Sequence, residues 1–257
     1  QPIVPTPVGE RVILQAREVL SQADSIKDIV QEEKQSLEGM FRIGILPTIA
    51  PYLLPRFFPQ LMKRYPKLDI RVQEMKTHEI KEALIQGDID AGILATIEGL
   101  EEYSQTPLFY EKYVGYVSRE DALFKKEVIR TADVAQSSQL WLLDEGHCFR
   151  DQMVRFCQMK SSQTSQLAYN LGSMETFMRM VESGMGITFI PELAAMQLCD
   201  SQKELVRPFA IPVPTRQLIM ITNRNFIRQT LLEVLVKEIQ AGVPKAMWKL
   251  GAGQVLV

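Results

Sequence analysis

Residues 41–95 read "FRIGILPTIAPYLLPRFFPQLMKRYPKLDIRVQEMKTHEIKEALIQGDIDAGILA", and the order of elements in this stretch decides the fold. "FRIGIL" is a short apolar run of strand type, and "APYLLPRFFPQLMKRYP" follows it as a helix entered through prolines. "LDIRVQEM" alternates as a second strand, "HEIKEALIQG" forms a helix closed by Gly87, and "IDAGILA" is a third strand. Strands that alternate with helices need crossovers, so the stretch predicts an α/β fold with a mainly parallel sheet and helices on both faces.

Downstream, "YEKYVGYVSRE" and "QLWLLDEG" read as two more strands, and "GHCFRDQMVRFC" (146–157) as a helix. "METFMRMVESGMGITFIP" predicts a helix ending at Gly184 and a buried strand ending at Pro191; "AAMQLC" predicts a short helix. "RQLIMIT" is a last strand and "IRQTLLEVLVKEIQAG" a last helix, after which the tail beyond Pro244 is expected to be loose. Upstream, residues 8–37 carry a stripe including Val8, Val12, Val19, Ile26 and Ile29 opposite a strongly charged face, with Gly39 as the expected stop. Such a helix suits either a connecting and dimerising role or simple packing on its own domain. Two similar lobes, with the chain crossing between them twice, are the simplest arrangement.

With 257 residues the chain has room for two modest cores without covalent staples. Its net charge of −2 excludes the broadly basic surface that binds nucleic acid through phosphate neutralisation, so any DNA-contacting part is expected to lie outside this chain. The chain begins at Gln1 and reads as trimmed at the front. Three cysteines cannot all pair and no Cys/His spacing suits zinc, which predicts a reducing, cytoplasmic setting without a metal or other cofactor. No apolar run reaches the roughly 20 residues of a membrane span.

Cys148 and Cys157 allow two readings. If Cys148 opens a helix, Phe149, Met153, Phe156 and Cys157 share its apolar face, and Cys157 belongs to a core. Cys148 then stands at the positive helix end beside His147 and Arg150, a setting that lowers a thiol pKa and favours the nucleophilic thiolate. Equally, both are small side chains of a kind that is commonly buried. Cys199 has no such surroundings and reads as structural or incidental, and His78 as a surface helix residue. Thr48 and Thr77 precede helices near the carboxyl ends of strands, where open α/β sheets bind ligands, although a helix cap explains either threonine as well.

Four stretches together resemble the regulatory half of LysR-type transcriptional regulators: "IGILPTIAPYLLPRFFPQLMKRYPKLDIRVQE" (43–74), "GDIDAGILA" (87–95), "LLDEGHCFRDQMVRFC" (142–157) and "METFMRMVESGMGITFIPELA" (174–194). The third resembles peroxide-sensing members in particular. The resemblance implies two Rossmann-like lobes in a periplasmic-binding-protein-like arrangement, preceded by a linker helix. It places a linker or dimerisation helix at 1–38, lobe I at 39–113 and 217–257, and lobe II with the redox cysteines at 114–216. An N-terminal winged helix-turn-helix, absent here, would contact promoter DNA, and the implied partners include a homodimer or homotetramer of this chain and RNA polymerase.

For the site, the resemblance implies that hydrogen peroxide oxidises Cys148, that Cys157 resolves the product to a disulfide, and that glutaredoxin or glutathione-type reductants reset it. Thr48, Thr77, His147, Arg150 and Asp151 become parts of a peroxide pocket, with Arg216 steadying the thiolate. A helix sets its own condition on this chemistry. Nine steps of ~1.5 Å hold the two Cα atoms ~13 Å apart, so a disulfide needs the helix to unwind. A sensor uses such a rearrangement, whereas an enzyme gains little from it. Two other classes compete: a thiol peroxidase, which would consume peroxide continuously, and a small-molecule-responsive domain with incidental cysteines, which would bind an organic ligand without Cys148.

Overall fold

The structure is a computed structural model that describes residues 3–134, 139–143, 148–157 and 173–257. It opens with helix α1 (Pro7–Glu33), capped by the Thr6 hydroxyl accepting from the Gly9 amide at 3.1 Å. The helix stops at Glu33, short of the expected Gly39, which with φ +86° instead begins strand β1 (Gly39–Ile45). Then come α2 (Ala50–Arg64), β2 (Leu68–Glu74), α3 (Thr77–Gln86) and β3 (Ala91–Ala95). β1 pairs in parallel with both β2 and β3, as the 41–95 pattern predicts.

The rest of the sheet departs from that pattern. β4 (Tyr103–Val117) and β7 (Val213–Asn223) are long, antiparallel to each other, and run from one lobe into the next. Between them the chain forms α4 (Thr131–Val134), α5 (Cys148–Phe156), α6 (Met174–Glu182), β5 (Ile187–Pro191), α7 (Glu192–Ala195), α8 (Asp200–Lys203) and β6 (Val206–Pro208). β5 and β6 both pair antiparallel with β4, so the sheet is mixed, with the path β2-β1-β3-β7-β4-β5. The sequence contains no turn signal that distinguishes an antiparallel return through a distant strand from another crossover. The expected strand in "QLWLLDEG" shrinks to one bridge, Leu140 to Ile187; residues 144–147 lie outside the described residues. The helix expected at "AAMQLC" begins earlier, at Glu192, and Cys199 instead precedes α8.

After α9 (Gln229–Ala241) the tail is ordered rather than loose. It makes a 3₁₀ turn at Lys245–Trp248 and strand β8 (Gln254–Leu256), which pairs in parallel with Val213–Thr215 of β7. Free backbone donors and acceptors at the start of β7 account for this order, since a small-residue tail can lie flat along them.

Two hydrophobic cores result. The first is built on β1, β3, α2 and α9, where Leu53, Phe57 and Leu61 at helical spacing are each at most 2% exposed. Each such side chain contributes about 1.5–3 kcal/mol by leaving water. Pro51, Pro55 and Pro59 fall on the opposite, exposed side of α2, where carbonyls that lose an intrahelical donor still meet water. The second core gathers Tyr113, Trp141, Phe149, Met153, Phe177 and Phe189. The lobes touch where the Gln197 amide donates to the Tyr52 carbonyl at 2.9 Å and Tyr52 packs on both cores.

The end of α1 is tied to lobe I. The Glu32 carboxylate accepts from the Thr230 amide at 3.0 and 3.1 Å, capping α9, and Arg228 donates to the Glu38 and Met40 carbonyls at 2.6 and 3.1 Å. Val8, Val12, Val19, Leu20 and Ile26 nevertheless stay exposed, so packing on its own domain does not use up the stripe.

Candidate functional site

The site lies where α5 meets the two crossover strands. Helix α5 starts at Cys148, and Cys148, Phe149, Gln152 and Met153 form its buried face. Phe149 packs edge-on against Tyr113 of β4, with ring centroids 4.9 Å apart. Cys157 follows the helix and is buried in the second core, as its spacing predicts. Cys148 belongs to the first core. All three cysteines are free thiols.

β7 supplies Arg216, which is fully buried. Its Nε and Nη2 donate to Oε2 of Glu111 at 2.8 and 2.7 Å. Its Nη1 donates to the Thr48 hydroxyl at 3.1 Å and Nη2 to the Thr48 carbonyl at 3.1 Å. The other Glu111 oxygen, Oε1, accepts from the Leu193 amide at 2.9 Å at the start of α7. The guanidinium also lies 5.5 Å from the Tyr113 ring centroid, and the Tyr113 hydroxyl donates to Gln152 Oε1 at 2.7 Å. Four elements are thus joined through one buried cation.

Burial pushes the Cys148 thiol above its ordinary range; the Arg216 charge, the Thr77 hydroxyl and the Phe149 amide pull it back, while Asp151 pushes it up. The lowered pKa expected from the helix end is therefore corrected: desolvation outweighs it, and the cation that acts on the sulfur is Arg216 of a distant strand. Thr77 opens α3 with its hydroxyl buried and without a fully formed hydrogen bond, so its attraction to the sulfur is what engages it. Thr48 is not a helix cap: Ile49 holds that position, and the Thr48 hydroxyl accepts from Arg216. Arg150 is half-buried and Asp151 exposed on α5, while His147 lies outside the described residues. His78 is exposed on α3, as read from the sequence. Burial alone drives the Cys157 thiol to about 12. Cys199 is exposed, and its thiol is lowered by the Ser201 hydroxyl and the Gln202 backbone.

Glu111, Tyr113 and Gln152 were not among the residues singled out from the sequence. A signal for Glu111 exists: in β4, Phe109, Glu111, Tyr113 and Gly115 are all buried, so a carboxylate falls in phase with the core-facing positions. A buried charge in that phase demands a cation, and Arg216 is that cation. Gln152 has no comparable signal, because a glutamine three positions after an aromatic is ordinary on an exposed helix face. Among the described residues no cluster of three or more His, Cys, Asp or Glu side chains could hold a metal, and no helix is long and apolar enough to cross a membrane.

A long helix leading into two α/β lobes joined by paired crossover strands, with a buried polar cluster between them, defines an effector-type regulatory domain. The chain belongs to the LysR substrate-binding domain family, which matches residues 34–244. It is 30% identical over 236 residues to the DNA-binding transcriptional dual regulator OxyR of Escherichia coli K12, covering 92% of this chain and 77% of that protein. Among solved structures, OxyR from Porphyromonas gingivalis is 51% identical with a TM-score of 0.78, covering 85% of this chain and 99% of the other. The reduced OxyR regulatory domain from Pseudomonas aeruginosa is 30% identical with a TM-score of 0.70, covering 79% and 98%.

Proposed function

We propose that this chain is the regulatory part of a hydrogen-peroxide-responsive transcription regulator in which Cys148 reacts with peroxide and Cys157 resolves the product. The observation that carries this is the setting of Cys148. A thiol at the seam of two lobes is approached by a buried cation, Arg216, and by an unsatisfied hydroxyl, Thr77, and a second buried thiol lies nine residues on, just past the end of the same helix. Similarity to proteins named OxyR and hydrogen peroxide-inducible genes activator supports the same reading.

The Cys148 thiolate attacks one peroxide oxygen, the O–O bond breaks, and the departing hydroxide takes up a proton and leaves as water. Cys148 is then a sulfenic acid. The Cys157 thiolate attacks its sulfur, the S–O bond breaks, a second water leaves, and the disulfide forms. Thr48, Thr77, His147, Arg150 and Asp151 form the peroxide pocket in this reading, with Arg216 stabilising the thiolate. Residues 1–38 act as the linker, 39–113 with 217–257 as lobe I, and 114–216 as lobe II, working in the cytosol.

Unwinding of α5 changes the contact between lobes, and the exposed apolar stripe of α1 carries the change to a second copy in a homodimer or homotetramer. DNA contact and RNA polymerase belong to the rest of the regulator. Glutaredoxin or glutathione-type thiols reverse the reaction, so one equivalent of peroxide is used per switch without turnover.

The test is oxidation of the reduced protein with one equivalent of hydrogen peroxide, followed by peptide mapping. A Cys148–Cys157 linked peptide is expected, with none in Cys148→Ser. Two unlinked thiols after oxidation would overturn the mechanism, and continued peroxide consumption would point to a peroxidase instead.

A further inference from the structure

Glu111 is a carboxylate 1% exposed in the middle of β4, and the peroxide chemistry gives it no task. Its two oxygens are divided, Oε2 receiving both Arg216 bonds and Oε1 the Leu193 amide. With Thr48 holding the far side of the guanidinium and Tyr113 beneath it, Arg216 is fixed in place. Among the described residues, the groups that act on this pair or on Cys148 are Tyr52 from α2, Tyr113 from β4, Thr77 from α3, and exposed Asp151 from α5, a helix that also carries the half-buried Arg150. None of these described groups is a second fully buried cation.

One positive and one negative charge cancel inside this cluster while Cys148 is protonated. Ionising the thiol leaves an unbalanced negative charge in a poorly polarisable site, which is strongly opposed. Removing the Glu111 charge reverses the balance, because the thiolate then becomes the counter-ion that a trapped Arg216 lacks. We propose that Glu111 is a positioning residue that fixes Arg216 and, by balancing its charge, keeps resting Cys148 mostly in the thiol form, so setting the threshold at which the site reacts. This rests on the reading of Cys148 as the reactive thiol.

The experiment is the pH profile of Cys148 alkylation by iodoacetamide, in a Cys157→Ser, Cys199→Ser background, with Glu111 or Gln at position 111. The midpoint is expected to fall by about 1–3 pH units in Glu111→Gln. The alkylation rate at pH 7 should rise at least about tenfold, since each unit is a factor of ten in thiolate. A folded Glu111→Gln protein with an unchanged or higher midpoint overturns the proposal. Should that variant fail to fold, Glu111→Gln combined with Arg216→Met removes both charges. Its midpoint is expected at or above that of the parent, and one clearly below the parent overturns the proposal equally. No peroxide enters the measurement, so a lowered midpoint alongside a missing Cys148–Cys157 disulfide would remove the sensing mechanism and leave the role of Glu111 standing.

Discussion

Cys148 and Cys157 bracket a single helix, yet they pack into different cores, Cys148 with the first lobe and Cys157 with the second. The helix keeps their Cα atoms ~13 Å apart, about twice the reach of a disulfide. Joining them must therefore draw α5 away from both cores at once. Three buried residues oppose this: Phe149 packed edge-on against Tyr113, Gln152 bonded to the Tyr113 hydroxyl, and Met153, which has no exposed surface. The threshold for switching is set by packing as much as by thiol chemistry.

Met153→Ala tests that coupling. Emptying this site should destabilise the reduced protein by about 2–5 kcal/mol. The oxidised protein, with α5 displaced, should lose much less, making the cysteine pair easier to oxidise. Urea denaturation of both forms, with equilibration against glutathione, reads the difference. Equal losses in the two forms would mean that Met153 stays packed after oxidation.

How far the sequence reveals this arrangement depends on the range of the interaction. The βαβαβ start, the α5 helix and the burial of Cys157 follow from spacing along the chain, and the structure bears them out. Contacts across the chain are not encoded in local periodicity. Arg216 reaches Glu111 and Thr48 across 105 and 168 residues, and only the pairing of β7 with β4 brings them together. For the same reason the helix-end argument gave the wrong sign for Cys148, because its burial comes from the other lobe. The tail after Pro244 looked loose because its small residues show no amphipathic pattern, while its order derives from an open position beside β7.

Thiol reactivity should separate the three cysteines. Cys199 is exposed with a lowered pKa, Cys148 is buried with a raised one, and Cys157 titrates near 12. At pH 8 a group titrating near 12 is about one ten-thousandth thiolate. Alkylation of the folded, reduced protein is therefore expected in the order Cys199, Cys148, Cys157, read by timed peptide mapping. In denaturant the three should react alike. Early labelling of Cys157 in the folded protein would contradict its place in the core.

The C-terminal strand offers a further check. β8 pairs with β7 at Val213–Thr215, directly beside Arg216, and Val257 donates its amide to the Thr215 carbonyl at 3.2 Å while packing on the second core. Removing residues 250–257 should cost about 1–3 kcal/mol, from a few hydrogen bonds and one partly buried valine. It should also speed hydrogen exchange at Val213–Thr215. Exchange there that is unchanged by truncation would show that the tail does not protect the strand.

Alkaline pH should weaken the folded protein in a defined window. Burial raises the Cys157 thiol from its ordinary value near 9 to about 12, so the folded state holds that proton more tightly than the unfolded chain. The stability this contributes is fully present below about pH 9 and is lost progressively as pH rises through 12. Three units correspond to about 4 kcal/mol. Cys148 and Tyr113 are raised as well, each chiefly by burial, and push in the same direction, the tyrosine only above its ordinary value of 10. Urea midpoints measured under reducing conditions should therefore fall steadily between pH 9 and 12. Cys157→Ala should start from a lower midpoint, having lost the buried sulfur, and then fall less steeply over the same range. A slope identical to that of the parent protein would mean that the Cys157 thiol ionises in the folded protein as readily as in the unfolded chain.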